Sequence, residues 1–141
     1  MKRMRNEKGA ALIEAAVTVP IILLISVGIF EFGRAYQTQQ VLVNAAREGA
    51  RLAVIEGSTD AQVRARVNAY LTAGGLTAVG DGAIPINRTT ALTATSTGST
   101  VEINYPFQFI VLNPVVRLIA PTDSRTGAPI TMKAATMMRN E

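Results

Sequence analysis

The chain has 141 residues, enough for one compact domain, and carries a net charge of +4. It contains neither Cys nor His, which excludes disulfides and thiolate metal sites and removes the commonest metal ligand and general base. The basicity is local: residues 1–9 hold Lys2, Arg3, Arg5 and Lys8 against Glu7, whereas the rest holds ten basic and nine acidic side chains, so the charge is a topology signal and not a footprint for nucleic acid.

After this leader, residues 10–30 are apolar with Glu14 as their only charge, and residues 15–30 carry none. A helix of ~20 residues rising ~1.5 Å each crosses the hydrocarbon core of a bilayer. Residues 10–30 are therefore predicted to form a transmembrane helix, with membrane lipid as a partner. Basic residues ahead of the span hold the N-terminus in the cytoplasm and place residues 31–141 outside. A secretory signal cut near Ser26-Val27-Gly28 competes, but the uncharged run is longer than a typical h-region and the helical pattern continues past it. Pro20 lacks an N–H and is expected to kink the span, which a membrane helix tolerates when neighbours satisfy the freed carbonyl.

A carboxylate at the edge of a span costs free energy unless something neutralises it. Gly9 lies five positions before Glu14. A cut between Gly9 and Ala10 frees an ammonium at Ala10, one helical turn from Glu14. This layout resembles a type IV prepilin: a removable basic leader, a new cationic N-terminus, and an acidic partner at mature position five. In that layout Glu14 serves assembly.

Beyond the span, Phe32, Tyr36, Leu42, Ala46, Ala50 and Ala53 recur near helical spacing, and no Gly-Pro punctuation precedes Gly57-Ser58. A single helix from Ala11 to Glu56 is predicted, roughly 70 Å long. Ala45, Gly49 and Ala53 form a small-residue stripe at i, i+4, i+8, suited to close helix packing. It faces either the protein's own sheet or another subunit. Glu48 and Arg51 are expected to pair at i, i+3.

Asp60 is placed as the cap of a second helix running to Ala73 through Val63, Val67 and Leu71, with Arg64 and Arg66 outward, ended by Gly74-Gly75. Residues 74–88 look loop-like, with Gly80-Asp81-Gly82 a turn. Strands follow. Residues 89–97 form one, and Thr97-Gly98-Ser99 a turn. Val101, Ile103, Tyr105 and Phe107 then alternate with polar residues in a half-buried strand. Pro106 marks that strand as an edge or bulge. Asn113-Pro114 opens a helical turn through Leu118, closed by Pro121. Ile130, Met132, Ala134 and Thr136 alternate in a last strand, and Met137 and Met138 are expected to fill core space. The fold class is α+β: a long N-terminal helix whose amphipathic half packs on a small antiparallel sheet, the general plan of pilins.

Residues 8–54 resemble the TadE-like family, pseudopilins of the tight-adherence (Tad/Flp) pilus. The matching positions are Gly9, Glu14, Pro20, Gly28, Glu31-Phe32-Gly33 and, most specifically, Ala45-Ala46-Arg47-Glu48-Gly49-Ala50-Arg51. The ending Met137-Met138-Arg139-Asn140-Glu141 is similar to family C-termini. Ala15 departs from the aromatic that often follows the Glu. The resemblance implies cleavage between Gly9 and Ala10 by a prepilin peptidase and residence in the bacterial inner membrane. It also implies partnership with other pilin or pseudopilin subunits and an ATPase-driven assembly platform, and a possible place in the extracellular pilus.

No P-loop, GxGxxG, nucleophile elbow or metal-ligand cluster occurs, so neither enzyme activity nor a cofactor is expected. The alternative reading is a single-pass, membrane-anchored binding domain that is neither processed nor polymerised.

Overall fold

The computed structural model describes residues 3–93, 96–119 and 128–140. In chain order these form α1 (Arg3–Ala53), α2 (Asp60–Ala73), a 3-10 turn (Asp81–Ala83), β1 (Ile86–Thr93), β2 (Ser96–Phe107), α3 (Leu112–Ile119) and β3 (Ile130–Arg139). The fold is α+β, as expected. Two compact units share α1: Met1–Arg34 with Phe109–Gly127, and Ala35–Gln108 with Ala128–Glu141.

Helix α1 begins inside the leader, earlier than the apolar pattern indicated. A single Gly costs only about 1 kcal/mol against Ala in a helix interior, so Gly9 does not break it. The helix also runs through Pro20. It ends at Ala53, short of Glu56, because Ile55 N–H and Ser58 N–H turn back to Leu52 and Ile55 carbonyls and Gly57 adopts φ +79°.

In the second unit, Leu42, Ala45, Ala46, Ala50 and Ala53 of α1 are buried with Val63, Val67 and Leu71 of α2 and Val101, Ile103, Tyr105 and Phe107 of β2. Phe32 and Tyr36, placed on the same stripe from sequence, are exposed. The N-cap of α2 is Thr59, not Asp60. Its hydroxyl accepts the Gln62 N–H, and the Gln62 side chain accepts the Thr59 N–H in return. This capping box leaves Asp60 as the first helical residue. At the other end Leu76 N–H reaches Leu71 O and Gly75 N–H reaches Thr72 O, with Gly75 at φ +79°. That is a Schellman closure, and it needs a residue at ease with positive φ. Gly80-Asp81-Gly82 enters the 3-10 turn, as a tight turn should.

The sheet is an antiparallel meander in the order β1-β2-β3. Three readings of the strands need correction. Thr97, Gly98 and Ser99 are not a turn but lie within β2, where Gly98 pairs with both Thr90 and Arg139. Strand β2 is central, not an edge. Pro106 is tolerated because β1 pairing stops at Ile86–Val101, so among the described residues β2 pairs around Pro106 with β3 alone. Met137 is exposed while Met138 is half-buried. Successive strand residues face opposite ways, so adjacent methionines cannot both fill the core.

Helix α3 starts one residue before Asn113 and ends at Ile119. Pro121 lies outside the described residues.

Candidate membrane anchor, processing site and assembly segment

Within the first unit the apolar side chains of α1 from Leu12 to Phe30 are exposed except for the half-buried Val27, with Leu12 at 71% and Ile29 at 72%. Water does not favour so long an uncovered apolar face. Among the described residues α1 is the helix long and apolar enough to cross a membrane. Ser26 lies in the run, and its hydroxyl donates to Ile22 O at 2.8 Å. The helix thereby satisfies its own polar group, as hydrocarbon requires.

Gly9, Ala10 and Glu14 all lie on α1, with Ala10 and Glu14 exposed and one turn apart. A Cβ added at Gly9 meets nothing within 4 Å. No packing contact among the described residues accounts for that glycine.

The small-residue stripe sits in the second unit. Ala45, Gly49 and Ala53 are buried. A Cβ at Gly49 would lie 2.6 Å from Val67 Cγ2 and 3.2 Å from Val101 Cγ1. The close approach is to the chain's own α2 and β2. The Glu48–Arg51 pair does not form. Glu48 instead accepts from Arg66 Nη2 of α2 at 2.6 Å, and Arg51 is exposed. Arg64 turns partly inward, its Nε donating to Ile84 O at 3.4 Å.

Two polar clusters were not read as such from the sequence. At the end of the apolar run Glu31 is fully buried. Its Oε2 accepts from Arg34 Nη1 at 2.7 Å and its Oε1 accepts the Val111 N–H at 2.5 Å. Burial alone pushes its carboxyl pKa up. The Val111 N–H, the Arg34 guanidinium and the Ile110 N–H outweigh that and hold it below the ordinary range. Phe32, beside it, meets Phe109 edge-on with ring centroids 6.5 Å apart. The one visible signal was a Glu and an Arg at i, i+3 directly after the span.

In the second unit Arg88 ties three segments together. Its Nε donates to Asp60 Oδ1 at 2.8 Å, and its Nη1 to Ala53 O at 2.7 Å and Ser58 Oγ at 3.2 Å. A cation thus sits at the C-terminal carbonyls of α1 while its counter-ion sits in the first turn of α2, favourable to both helix dipoles. Asn140 completes the junction. Its amide donates to Arg88 O at 2.9 Å and accepts from Ser99 Oγ at 2.8 Å.

Residues 9–51 match the family model of the TadE-like proteins. Over this helix the chain is TadE-like. The match opens at Gly9 and closes at Arg51, so it takes in Glu14, Pro20, Glu31 and the small-residue stretch through Gly49. A TadE-like helix connects the chain with the Tad pilus as a pseudopilin-type component, and the family is a pilus-associated one, not an enzyme family. No curated protein and no solved structure matches the chain.

Proposed function

We propose that this chain is a prepilin-type, membrane-anchored pseudopilin that serves as a structural or assembly subunit of a Tad/Flp-type pilus. Residues 10–30 cross the inner membrane once, the N-terminus is cytoplasmic, and residues 31–141 lie outside it. A prepilin peptidase removes residues 1–9 by cutting between Gly9 and Ala10. The observation that carries this reading is the TadE-like match opening at Gly9, on a helix with an exposed apolar face and Glu14 one turn into it.

The physical role of Glu14 follows from its place. A carboxylate at the centre of a membrane helix costs roughly 2.5–3.5 kcal/mol on insertion scales, and less toward the interface. Once the leader is gone, the ammonium of Ala10, its own or that of a neighbouring subunit, offsets that cost. An incoming subunit is then favoured where its cation meets an exposed carboxylate. Pro20 lets the anchor bend during packing, while Ala45, Gly49 and Ala53 keep the outer half of α1 close to its own domain.

The test is Glu14→Leu in cells that make the pilus. The variant inserts and is cleaved as wild type, because removing a charge from the span eases insertion. It is lost from sheared surface filaments and from crosslinks to pilus partners. Normal assembly of the Leu variant contradicts the assembly role.

A further inference from the structure

Residues 109–119 have no counterpart in the TadE-like match. They nevertheless belong to the same compact unit as the apolar half of α1. The segment is Phe-Ile-Val-Leu-Asn-Pro-Val-Val-Arg-Leu-Ile, apolar except for Asn113 and Arg117. Ile110 is 60% exposed and Phe32, which packs its ring against Phe109, is 68% exposed. Ile29 and Phe30, at the end of the apolar run, are exposed as well. Arg117 is exposed on α3.

The chemistry at Glu31 fits a boundary with lipid. The backbone at 110 and 111 is non-helical. Non-helical backbone at the edge of a bilayer loses water as a hydrogen-bond partner, so its N–H groups need protein acceptors. Glu31 supplies one, taking the Val111 N–H at 2.5 Å, while the Ile110 N–H also favours its charged form. The same carboxylate lies at the start of α3, which has no acidic residue in its own first turn, so it also offers that helix a negative charge at its N-terminus. Arg34 neutralises the carboxylate at 2.7 Å. A buried charge, a satisfied Val111 amide and exposed apolar side chains therefore coincide at the end of the span.

From this we infer that residues 109–119 form a membrane-surface element. Phe109, Ile110 and α3 lie in the headgroup region of the outer leaflet, beside Phe30 and Phe32, and Glu31 clamps them to the anchor helix. The occupant of this face is phospholipid. The inference rests on the membrane-anchor reading above, and the experiment separates the two.

The chain has no cysteine, so single cysteines can be labelled cleanly. Ile110→Cys and Ile21→Cys are made in the full-length protein, labelled with an environment-sensitive fluorophore, and reconstituted into phosphatidylcholine–phosphatidylglycerol vesicles. The vesicles carry spin-labelled lipids with the quencher either near the headgroup or deep in the acyl chain. The label at 110 is expected to be quenched several-fold more by the shallow lipid than by the deep one, with the opposite order at 21. Quenching at 21 but none at 110 overturns the surface-element inference and leaves the anchor intact. Absence of quenching at both positions overturns the anchor and the inference together. Disulfide-linked dimers of unlabelled Ile110→Cys, with no lipid quenching at 110, put a second copy on this face and also overturn it. Glu31→Ala, which removes the acceptor of the Val111 N–H, should diminish the shallow quenching at 110 without altering position 21. Unchanged quenching at 110 in that variant overturns the clamp.

Discussion

Glu31 and Val111 are 80 residues apart in sequence and joined by a 2.5 Å hydrogen bond between a fully buried carboxylate and a backbone amide. The contact fixes the return of the chain to the end of its anchor helix. Glu31→Ala leaves the Val111 amide without its acceptor and Arg34 without its counter-charge. An orphaned buried donor costs about 1–3 kcal/mol, with the Arg34 share reduced because that side chain is about one-third exposed. Amide exchange at Val111 is expected to rise correspondingly, and exchange in α2 to stay unchanged.

The same carboxylate predicts a pH dependence. Its folded pKa lies below the ordinary carboxylate value of 4.5. A depressed carboxylate contributes stability that is complete above the unfolded pKa and is lost as pH falls through the folded one. Protection of Val111, corrected for intrinsic exchange, should hold from neutrality to near 4.5 and fall only below it. In Glu31→Gln that acid-dependent step should vanish.

Gly49 lets α1 approach α2 closely within the second unit. A Cβ there would overlap Val67 Cγ2 at 2.6 Å, and a β-branched neighbour has little rotamer freedom to yield. Gly49→Leu should destabilise by about 1–3 kcal/mol through overpacking. Gly49→Ala should cost less, because Ala recovers up to about 1 kcal/mol of helix propensity. Val67→Ala should relieve Gly49→Leu in a double-mutant cycle of urea unfolding in detergent, with a coupling of at least ~0.5 kcal/mol.

Arg88 joins the end of α1 to the start of α2. Lys carries the charge but cannot reach Asp60 and the Ala53 carbonyl together with one fork of donors. Arg88→Lys and Arg88→Ala should both lower the urea midpoint, the Ala variant losing about 1–3 kcal/mol of unfolding free energy, and both should loosen Asn140, whose amide bonds the Arg88 carbonyl. An unchanged midpoint in the Ala variant would remove this junction as a determinant of the fold.

The two kinds of contact explain what the sequence revealed and what it hid. The anchor was legible because sixteen uncharged residues have few soluble uses, and β2 because Val101, Ile103, Tyr105 and Phe107 alternate. The partners of charged groups were not. Glu48 had Arg51 one turn away but pairs with Arg66 on another helix, since tertiary packing brings that guanidinium to 2.6 Å while Arg51 points to solvent. Thr97-Gly98-Ser99 has turn composition yet is held on both sides by strands, a pairing only the folded sheet supplies. Glu31 showed its Arg34 neighbour in sequence but not the Val111 amide.

On the proposed function the chain, TadE-like over residues 9–51, is a prepilin-type substrate whose new N-terminus is an ammonium next to Glu14. The most direct measurement is the N-terminal residue of the protein extracted from membranes of cells that carry the pilus machinery, for wild type and Gly9→Val. Among the described residues no packing contact requires Gly9, so Val there should leave the fold intact and block only the cut. The account predicts Ala10 as the first residue of wild type and Met1 for Gly9→Val. Met1 in wild type, or Ala10 in both, would contradict it.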